Sequence, residues 1–337
     1  MHTEPIIECI PNFSEGKNLD TIKAIEDAIR QVSKVKLLHI DRGEAANRTV
    51  FTFAGAPQNV VEAAFEAIKV AGTLINMRKQ KGEHPRIGAT DVCPLVPIAN
   101  ISIDEVKKYA IQLGQRVAEE LNIPIFLYEH SATSLQRKNL ATIRSGEYEG
   151  LSHKMQLPDW QPDFGKNFNP RTGATVIGAR DFLIAYNANL DTNDARIANE
   201  IARAIRESGK LVKGENGKKI RIQGKCKHLK AIGWYIEEYG KAQVSMNLTN
   251  FHITGMHTAF EACKEMAKKY GVRVTGSELI GLIPKKAILE AGTFYLQQRG
   301  SIKNMSEQFI IQSAVDHLGL NELNPFNYQK RIIEYLL

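Results

Sequence analysis

Lys36-Leu37-Leu38-His39-Ile40-Asp41-Arg42 and Arg48-Thr49-Val50-Phe51-Thr52-Phe53-Ala54-Gly55 decide how this chain folds. Both runs carry the β-branched and aromatic residues that suit a pleated, half-buried strand. Upstream, residues 18–32 set Ile22, Ile25, Ile29 and Val32 at helical spacing, after a strand-like run at 5–10. Downstream, the pattern predicts a helix over 57–77 and a strand over 91–98. The order is βαββαβ, the split unit of ferredoxin-like folds. A helix at 104–121 and a strand at 124–129 extend this half.

The same order recurs downstream without visible sequence identity. A strand at 181–190 leads to a helix at 193–208, strands at 227–236 and 241–250, a helix at 257–271 and a strand at 272–277. Residues 284–298 and 305–319 read as added C-terminal helices. A chain of 337 residues is too long for one ordinary core. The expected fold class is therefore α+β, with two ferredoxin-like (βαββαβ-type) subdomains, 1–178 and 179–337. Between them, residues 150–175 are rich in Pro, Gly, Asn and Asp, and carry Trp160, Phe164 and Phe168. Large aromatics bury area or stack on something, which argues against disorder. The segment reads as an interdomain linker or a ligand-binding loop, where Gly165, Gly173 and Gly178 let backbone approach a ligand.

Composition excludes several classes. No window has the apolar length of a membrane span, and the first strand begins too early to leave room for a signal peptide, so the expected setting is cytoplasmic. Cys9, Cys93, Cys226 and Cys263 are widely spaced with no C-x-x-C pair, which predicts free, mostly buried thiols. No histidine spacing supports zinc, and neither the dinucleotide nor the P-loop glycine pattern is present. Lys and Arg number 44 against 37 Asp and Glu, a net charge of +7 that favours an anionic partner. Part of the excess is concentrated in Lys210, Lys213, Lys218, Lys219, Arg221, Lys225, Lys227 and Lys230, against Glu215 alone. A solvated basic loop and an anion track both fit that run.

The chemistry points to Lys81-Gly82-Glu83-His84-Pro85-Arg86, a Gly/Pro-bounded turn between a helix and the apolar run beginning at Val92. Histidine changes charge near neutral pH, and loops held between rigid elements are where catalytic groups concentrate. The surrounding words carry a wider resemblance. They are Glu8-Cys9-Ile10-Pro11-Asn12-Phe13-Ser14-Glu15-Gly16, Asn47-Arg48-Thr49, the His84 turn through Ala89, and Asp91-Val92-Cys93-Pro94. Gly146-Glu147-Tyr148, Pro162-Asp163-Phe164-Gly165, Gly173-Ala174-Thr175, Ile232-Gly233-Trp234-Tyr235 and Arg331-Ile332-Ile333-Glu334-Tyr335-Leu336 complete the set. On these words the chain resembles, end to end, glutamate formimidoyltransferase, the formiminotransferase half of formiminotransferase–cyclodeaminase.

That resemblance implies transfer of a formimino group from N-formimino-L-glutamate to N5 of tetrahydrofolate, giving glutamate and 5-formiminotetrahydrofolate in histidine degradation. It implies a homodimer, tetrahydrofolate as co-substrate, no metal, and no nucleic-acid or membrane partner. A monofunctional form is expected, because the chain stops where the transferase half stops. The family's catalytic base falls on His84. One histidine of near-neutral pKa serves both proton transfers, worth about 10²–10⁴-fold. Glu83 and Arg86 would shift it in opposite directions, with Glu83 solvated or paired with Arg86. Asp41, at a strand end, is the candidate to orient the imidazole, with a surface aspartate as the plain alternative.

Both substrates carry carboxylates, and folates commonly carry polyglutamate tails. Arg48 and Arg86, beside the active-site turns, are the candidates for the formiminoglutamate carboxylates, with Arg180 as a third. The family's first folate-contacting segment falls on Gly165-Lys166-Asn167-Phe168-Asn169-Pro170-Arg171-Thr172-Gly173. This segment is one residue shorter than the vertebrate pattern and departs from it at Lys166, Arg171 and Thr172. The second falls on Gly224-Lys225-Cys226-Lys227-His228-Leu229-Lys230-Ala231-Ile232-Gly233, and the basic run around it then reads as a track for the folate tail. The alternatives are formyl transfer from N-formylglutamate, a folate binder without catalysis, and a basic nucleic-acid module. The aromatic pattern of RNA-recognition strands is absent from the candidate central strands, which disfavours the last.

Overall fold

The computed structural model describes residues 4–44, 46–82, 84–213, 218–298, 300 and 305–337, so Glu83 and Glu215 lie outside the described residues. The chain divides into two compact units, Met1–Asp181 and Phe182–Leu337.

The first unit begins with β1 (Ile6–Cys9), β2 (Asn12–Phe13) and α1 (Leu19–Gln31), then β3 (Val35–Gly43), β4 (Arg48–Gly55), α2 (Pro57–Leu74), β5 (Thr90–Ala99) and α3 (Ile103–Leu121). It ends with β6 (Ile125–Leu127), α4 (Leu140–Arg144), α5 (Glu147–Lys154) and β7 (Thr175–Ala179). Local chemistry sets the helix starts. The Asn18 side chain accepts from Thr21 N, Pro57 opens α2, and Ser102 with Glu105 forms a capping box on α3.

The strands lie in the order β3–β4–β1–β5–β7–β6, with β2 also pairing to β4 and β5. Only the β5–β7 and β6–β7 pairs are parallel. Side-chain alternation divides the sheet's two faces. Cys93, Leu95, Ile125, Leu127, Ile177 and Ala179 join a core with α1, α2 and α3. Their neighbours Val92, Phe126, Tyr128 and Val176 join Ile143, Leu151 and Met155 from the segment that follows β6.

Two expectations change here. The boundary at 178 cuts β7, which pairs between β5 and β6 and so belongs to the first sheet. The 150–175 segment is less irregular than its composition suggests, because α5 runs to Lys154 and a 3-10 turn covers Pro158–Trp160. Trp160 and Phe168 pack on the second core layer and Phe164 on the first, which accounts for the three aromatics.

The second unit contains β8 (Ile184–Leu190), α6 (Ala195–Ile205), β9 (Lys210–Lys213), β10 (Lys219–Ile222), β11 (Leu229–Ile236) and β12 (Lys241–Leu248). There follow α7 (Met256–Lys269), β13 (Val274–Ile280), α8 (Lys285–Gln297), α9 (Glu307–Leu318) and α10 (Ile333–Leu336). Its main sheet runs β11–β12–β8–β13, entirely antiparallel, and β9–β10 forms a separate hairpin. In both units the second, third, first and fourth strands of the repeat lie side by side in that order. The α8 and α9 helices close the core through Ile288, Ala291, Ile311 and Leu318. No helix among the described residues is long and apolar enough to cross a membrane.

Candidate active site

The His84 turn is held from three sides within the first unit. On one, Asn47 Nδ2 donates to Lys81 O at 2.7 Å, and Gln80 Nε2 donates to Asn47 O at 3.1 Å. On the second, Ala89 N donates to Thr172 O at 2.7 Å and Ala174 N to Ile87 O at 3.1 Å, stitching the turn to the end of the 165–173 segment. These approaches explain two glycines. A Cβ on Gly82 would meet Ala46 O at 2.3 Å, and one on Gly88 would meet Ala174 O at 2.0 Å.

The third side is α5. Arg86 donates to Glu147 and Glu149, with its shortest contact at 2.7 Å, while its Nε and Nη2 reach Gln80 Oε1 and Gln80 O. Tyr148 N donates to Arg86 O at 2.9 Å, and Tyr148 Oη donates to Pro170 O at 2.6 Å. The Gly146-Glu147-Tyr148 word is thus a clasp joining the histidine turn to the 165–173 loop. A cleft of about 510 Å³ opens here between Lys81, Arg86, Gly146 and Glu149.

Beside the turn lies a buried charge cluster. Asp91, fully buried, accepts from Arg48 Nη1 at 2.7 Å, Arg144 Nη2 at 2.5 Å and Ile87 N at 2.9 Å. Arg48 Nε also donates to Asn12 Oδ1 at 3.0 Å. Burial alone would raise the Asp91 pKa, but Arg144, Arg48 and the Ile87 amide outweigh it and hold the carboxyl far below the usual range. Burial pushes the Arg48 guanidinium down to about 10. The cluster has two guanidiniums and one carboxylate, so it keeps one positive charge.

His84 is half-buried next to that charge. Its Nδ1 lies 2.8 Å from Pro85 O. A carbonyl only accepts, so the neutral imidazole carries its proton on Nδ1 and presents the Nε2 lone pair. Burial, then Arg48 and Arg144, push the His84 pKa down to about 3. The imidazole is therefore neutral at physiological pH, and these same influences make it a weak base until the neighbouring positive charge is offset.

The sequence-predicted residues distribute unevenly. The Pro85 carbonyl does the orienting expected of Asp41, which stands in β3 opposite Val50 with no hydrogen bond to His84 among the described residues. Arg48 and Arg86 both sit at the turn, but each is already paired with protein carboxylates. Arg180 follows β7, donates to Asp181 O at 2.9 Å, and acts on Cys9 and Tyr128 instead. Glu83 is outside the described residues. All four cysteines are buried and free, with the Cys9 and Cys93 sulfurs 3.5 Å apart.

In the 165–173 segment, expected from the resemblance to contact folate, Gly165, Lys166 and Asn167 are exposed, and Phe168 stands 6.0 Å from Tyr148. Asn169 Oδ1 accepts from the backbone amides of Arg171 and Thr172, and Pro170 O accepts from Tyr148. Arg171 donates to Gly72 O and Thr73 O at the end of α2, and Thr172 is buried.

The second segment belongs to the other unit. There Cys226, Leu229 and Ala231 are buried, Ile232 is exposed, and Lys225 pairs with Glu265. His228 N donates to Glu207 at 3.0 Å, and Lys227 and Lys230 are exposed. Gly224 and Gly233 lie against the backbone of α6, at Arg206 O and Asn199 N respectively.

Sequence reasoning missed Asn12, Asp91 and Arg144 as members of the site. The first two stood inside quoted words, but their partnership needed the fold. Arg144 lay just before the Gly146 word. Lys154 Nζ fixes its segment by donating to Thr142 O, Ile143 O and Ser145 O at 2.7–3.0 Å while sitting 3.9 Å over the Trp160 ring.

Residues 6–180 match the family described as "Formiminotransferase domain, N-terminal subdomain", and residues 185–337 match "Formiminotransferase domain". The chain belongs to the formiminotransferase family. Its relatives in that family include a glutamate formimidoyltransferase of Streptococcus pyogenes, 45% identical over 87% of this chain and 93% of the relative. Another, from Thermoplasma acidophilum, is 39% identical over 88% and 93%. The formimidoyltransferase-cyclodeaminase of Dictyostelium discoideum is 46% identical over 98% of this chain, which spans 60% of that relative's length.

Proposed function

We propose that this chain is a glutamate formimidoyltransferase, moving the formimino group of N-formimino-L-glutamate to N5 of tetrahydrofolate in histidine degradation. The observation that carries this reading is a neutral His84 with Nδ1 tied to Pro85 O, beside the Arg48–Asp91–Arg144 cluster. The N5 lone pair attacks the amidine carbon and forms the new C–N bond. His84 Nε2 takes the N5 proton and returns it to the glutamate nitrogen as the old C–N bond breaks. The excess charge on the cluster holds a substrate carboxylate. That carboxylate offsets the cations depressing His84 and brings its pKa toward the working range. Arg86 braces the turn against α5.

The finer fold assignment and the folate contacts belong to the same proposal. Both units are ferredoxin-like, which their shared strand order supports. Tetrahydrofolate contacts the 165–173 and 224–233 segments, supported by the resemblance and by exposed Lys166, Asn167, Lys227 and Lys230. A homodimer in the cytoplasm follows from the resemblance alone, and a monomer mass on sedimentation would remove the first half of that claim. The transfer itself is tested by assaying the purified chain with tetrahydrofolate and either N-formiminoglutamate or N-formylglutamate. Faster turnover of the formyl donor would replace this assignment with formyl transfer.

A further inference from the structure

The second core layer of the first unit carries a phenol that the proposed transfer leaves unused. Tyr128, just beyond β6, is only 3% exposed. It packs in one layer with Ile87 and Val92, which lie on either side of Asp91 in sequence, and with Ile143, which precedes Arg144. The His84 turn, the Asp91 cluster and Tyr128 therefore share one face of the first sheet. The Tyr128 hydroxyl makes no hydrogen bond among the described residues, and the atom is not sealed from solvent. A buried phenol ordinarily finds a partner for its O–H. Here that partner is missing on the face where substrate would lie.

We infer that Tyr128, together with Arg180, holds the side-chain carboxylate of the glutamate derivative and so sets the preference for a dicarboxylate donor. This rests on the transferase reading, with the Asp91 cluster taking the carboxylate beside the reacting nitrogen. Alternation along β7 puts Val176, Gly178 and Arg180 on the Tyr128 face. Arg180 makes no salt bridge among the described residues. Its Nη1 donates to Asp181 O, which leaves N–H groups of the fork for a ligand. Burial holds the Tyr128 phenol above its usual pKa against the pull of Arg180 and Arg144, so it stays protonated and donates. Glu8 of β1, fully buried, stands on the same face opposite Val96. A ligand carboxylate meets that charge, so the guanidinium and the hydroxyl are both needed.

The phenol is held in place from behind. A Cβ on Gly178 would stand 2.3 Å from Tyr128 O and 2.7 Å from its Cδ1, so the ring lies over a position that must be glycine. Gly178 thus makes room for Tyr128, where the sequence suggested room for a ligand. Tyr128 N donates to Ile177 O at 3.2 Å. Ser131 closes the turn, donating N to Tyr128 O at 3.0 Å and accepting at Oγ from Ala179 N at 3.0 Å. N-formimino-L-glutamate has one carboxylate beside its reacting nitrogen and another at the end of a flexible side chain. Arg144 acts on both His84 and Tyr128, and so links the two ends of such a ligand.

The test is calorimetric titration of the full chain with N-formyl-L-glutamate and with N-formyl-L-norvaline, whose methyl replaces the side-chain carboxylate. Each is run with and without folic acid, which has no proton on N5 and cannot take the group, so binding is read without turnover. Wild type should prefer the glutamate ligand. Tyr128→Phe, which keeps the ring over Gly178, should reduce that preference about ten- to a hundredfold, the loss of a hydrogen bond to a charged group. Arg180→Gln should reduce it as well, and neither variant should change norvaline affinity. In steady state, Tyr128→Phe should raise KM for the glutamate derivative while kcat and the KM for tetrahydrofolate hold. Absence of turnover with both the formimino and the formyl donor would remove the transferase reading and leave this preference to be judged by the titrations. No preference in wild type, a preference that survives Tyr128→Phe, or equal weakening of both ligands overturns the assignment of Tyr128.

Discussion

Replacing Asp91 with Asn should destabilise the first unit more than almost any other isosteric change in it. The carboxylate is fully buried and serves two guanidiniums, Arg48 at 2.7 Å and Arg144 at 2.5 Å, whose side chains are only 7% and 14% exposed. Asn keeps the shape but removes the charge, and its amide N–H groups confront donors. Breaking a buried ion pair by deleting one partner costs about 3–5 kcal/mol, because the remaining charge stays buried and unmatched. For a unit of this size that corresponds to a fall in unfolding temperature of about 6–20 °C. The assay is urea unfolding in a Trp234→Phe background, which leaves Trp160 as the single tryptophan and the reporter for the first unit. A lower midpoint at unchanged slope is the expected signature. Adding Arg144→Gln should recover part of the loss, since it removes one stranded cation. A loss below about 1 kcal/mol would refute the reasoning, because the guanidiniums would then be matched by something other than Asp91.

Further outcomes follow from the same geometry. His84 should remain neutral between pH 8 and 5 when its ring resonances are followed by NMR, since its pKa is pushed down to about 3. The associated stability is fully present above the unfolded value near 6.5 and is lost as pH falls toward 3; a midpoint near 6.5 in the folded protein would contradict this. Lys154→Met should cost about 1.5–3 kcal/mol, because its ammonium donates to three carbonyls at the end of α4. By loosening the segment that carries Arg144, it should also raise KM for the glutamate derivative more than it lowers kcat, with partial rescue by Lys154→Arg. Unchanged stability and KM would remove that positioning role.

The periodic elements were legible in the sequence because period alone signals them. Ile22, Ile25 and Ile29 mark α1, and the β3–β4 pair stands where its two runs were read. β7 was not legible. Thr175-Val176-Ile177-Gly178-Ala179 is buried on both faces, so it lacks alternation, and it follows a Gly/Pro-rich loop. β9–β10 escaped for the opposite reason. Exposed Lys, Arg and Ile residues on both faces leave no burial pattern to read.

At the candidate site, the His84 turn could be read because its residue types are unusual together. Its orienting partner could not, since a Pro85 carbonyl leaves no side-chain signature. Arg144 meets Asp91 across 53 residues of sequence, a partnership that only the fold creates. Arg48 and Arg86 were read as carboxylate binders because they flank the turn. The structure supplies each with a carboxylate of its own, so one net charge remains at the Asp91 cluster where the sequence reading placed separate binding arginines.

The central claim is that His84 moves the proton from N5 of tetrahydrofolate to the departing glutamate. Its most direct test is single-turnover formimino transfer by His84→Ala beside wild type, with tetrahydrofolate binding measured on the same samples. The account predicts unchanged folate affinity and a loss in rate of at least about a hundredfold, as expected for removal of a general acid–base group. Transfer at the wild-type rate by the alanine variant would contradict it.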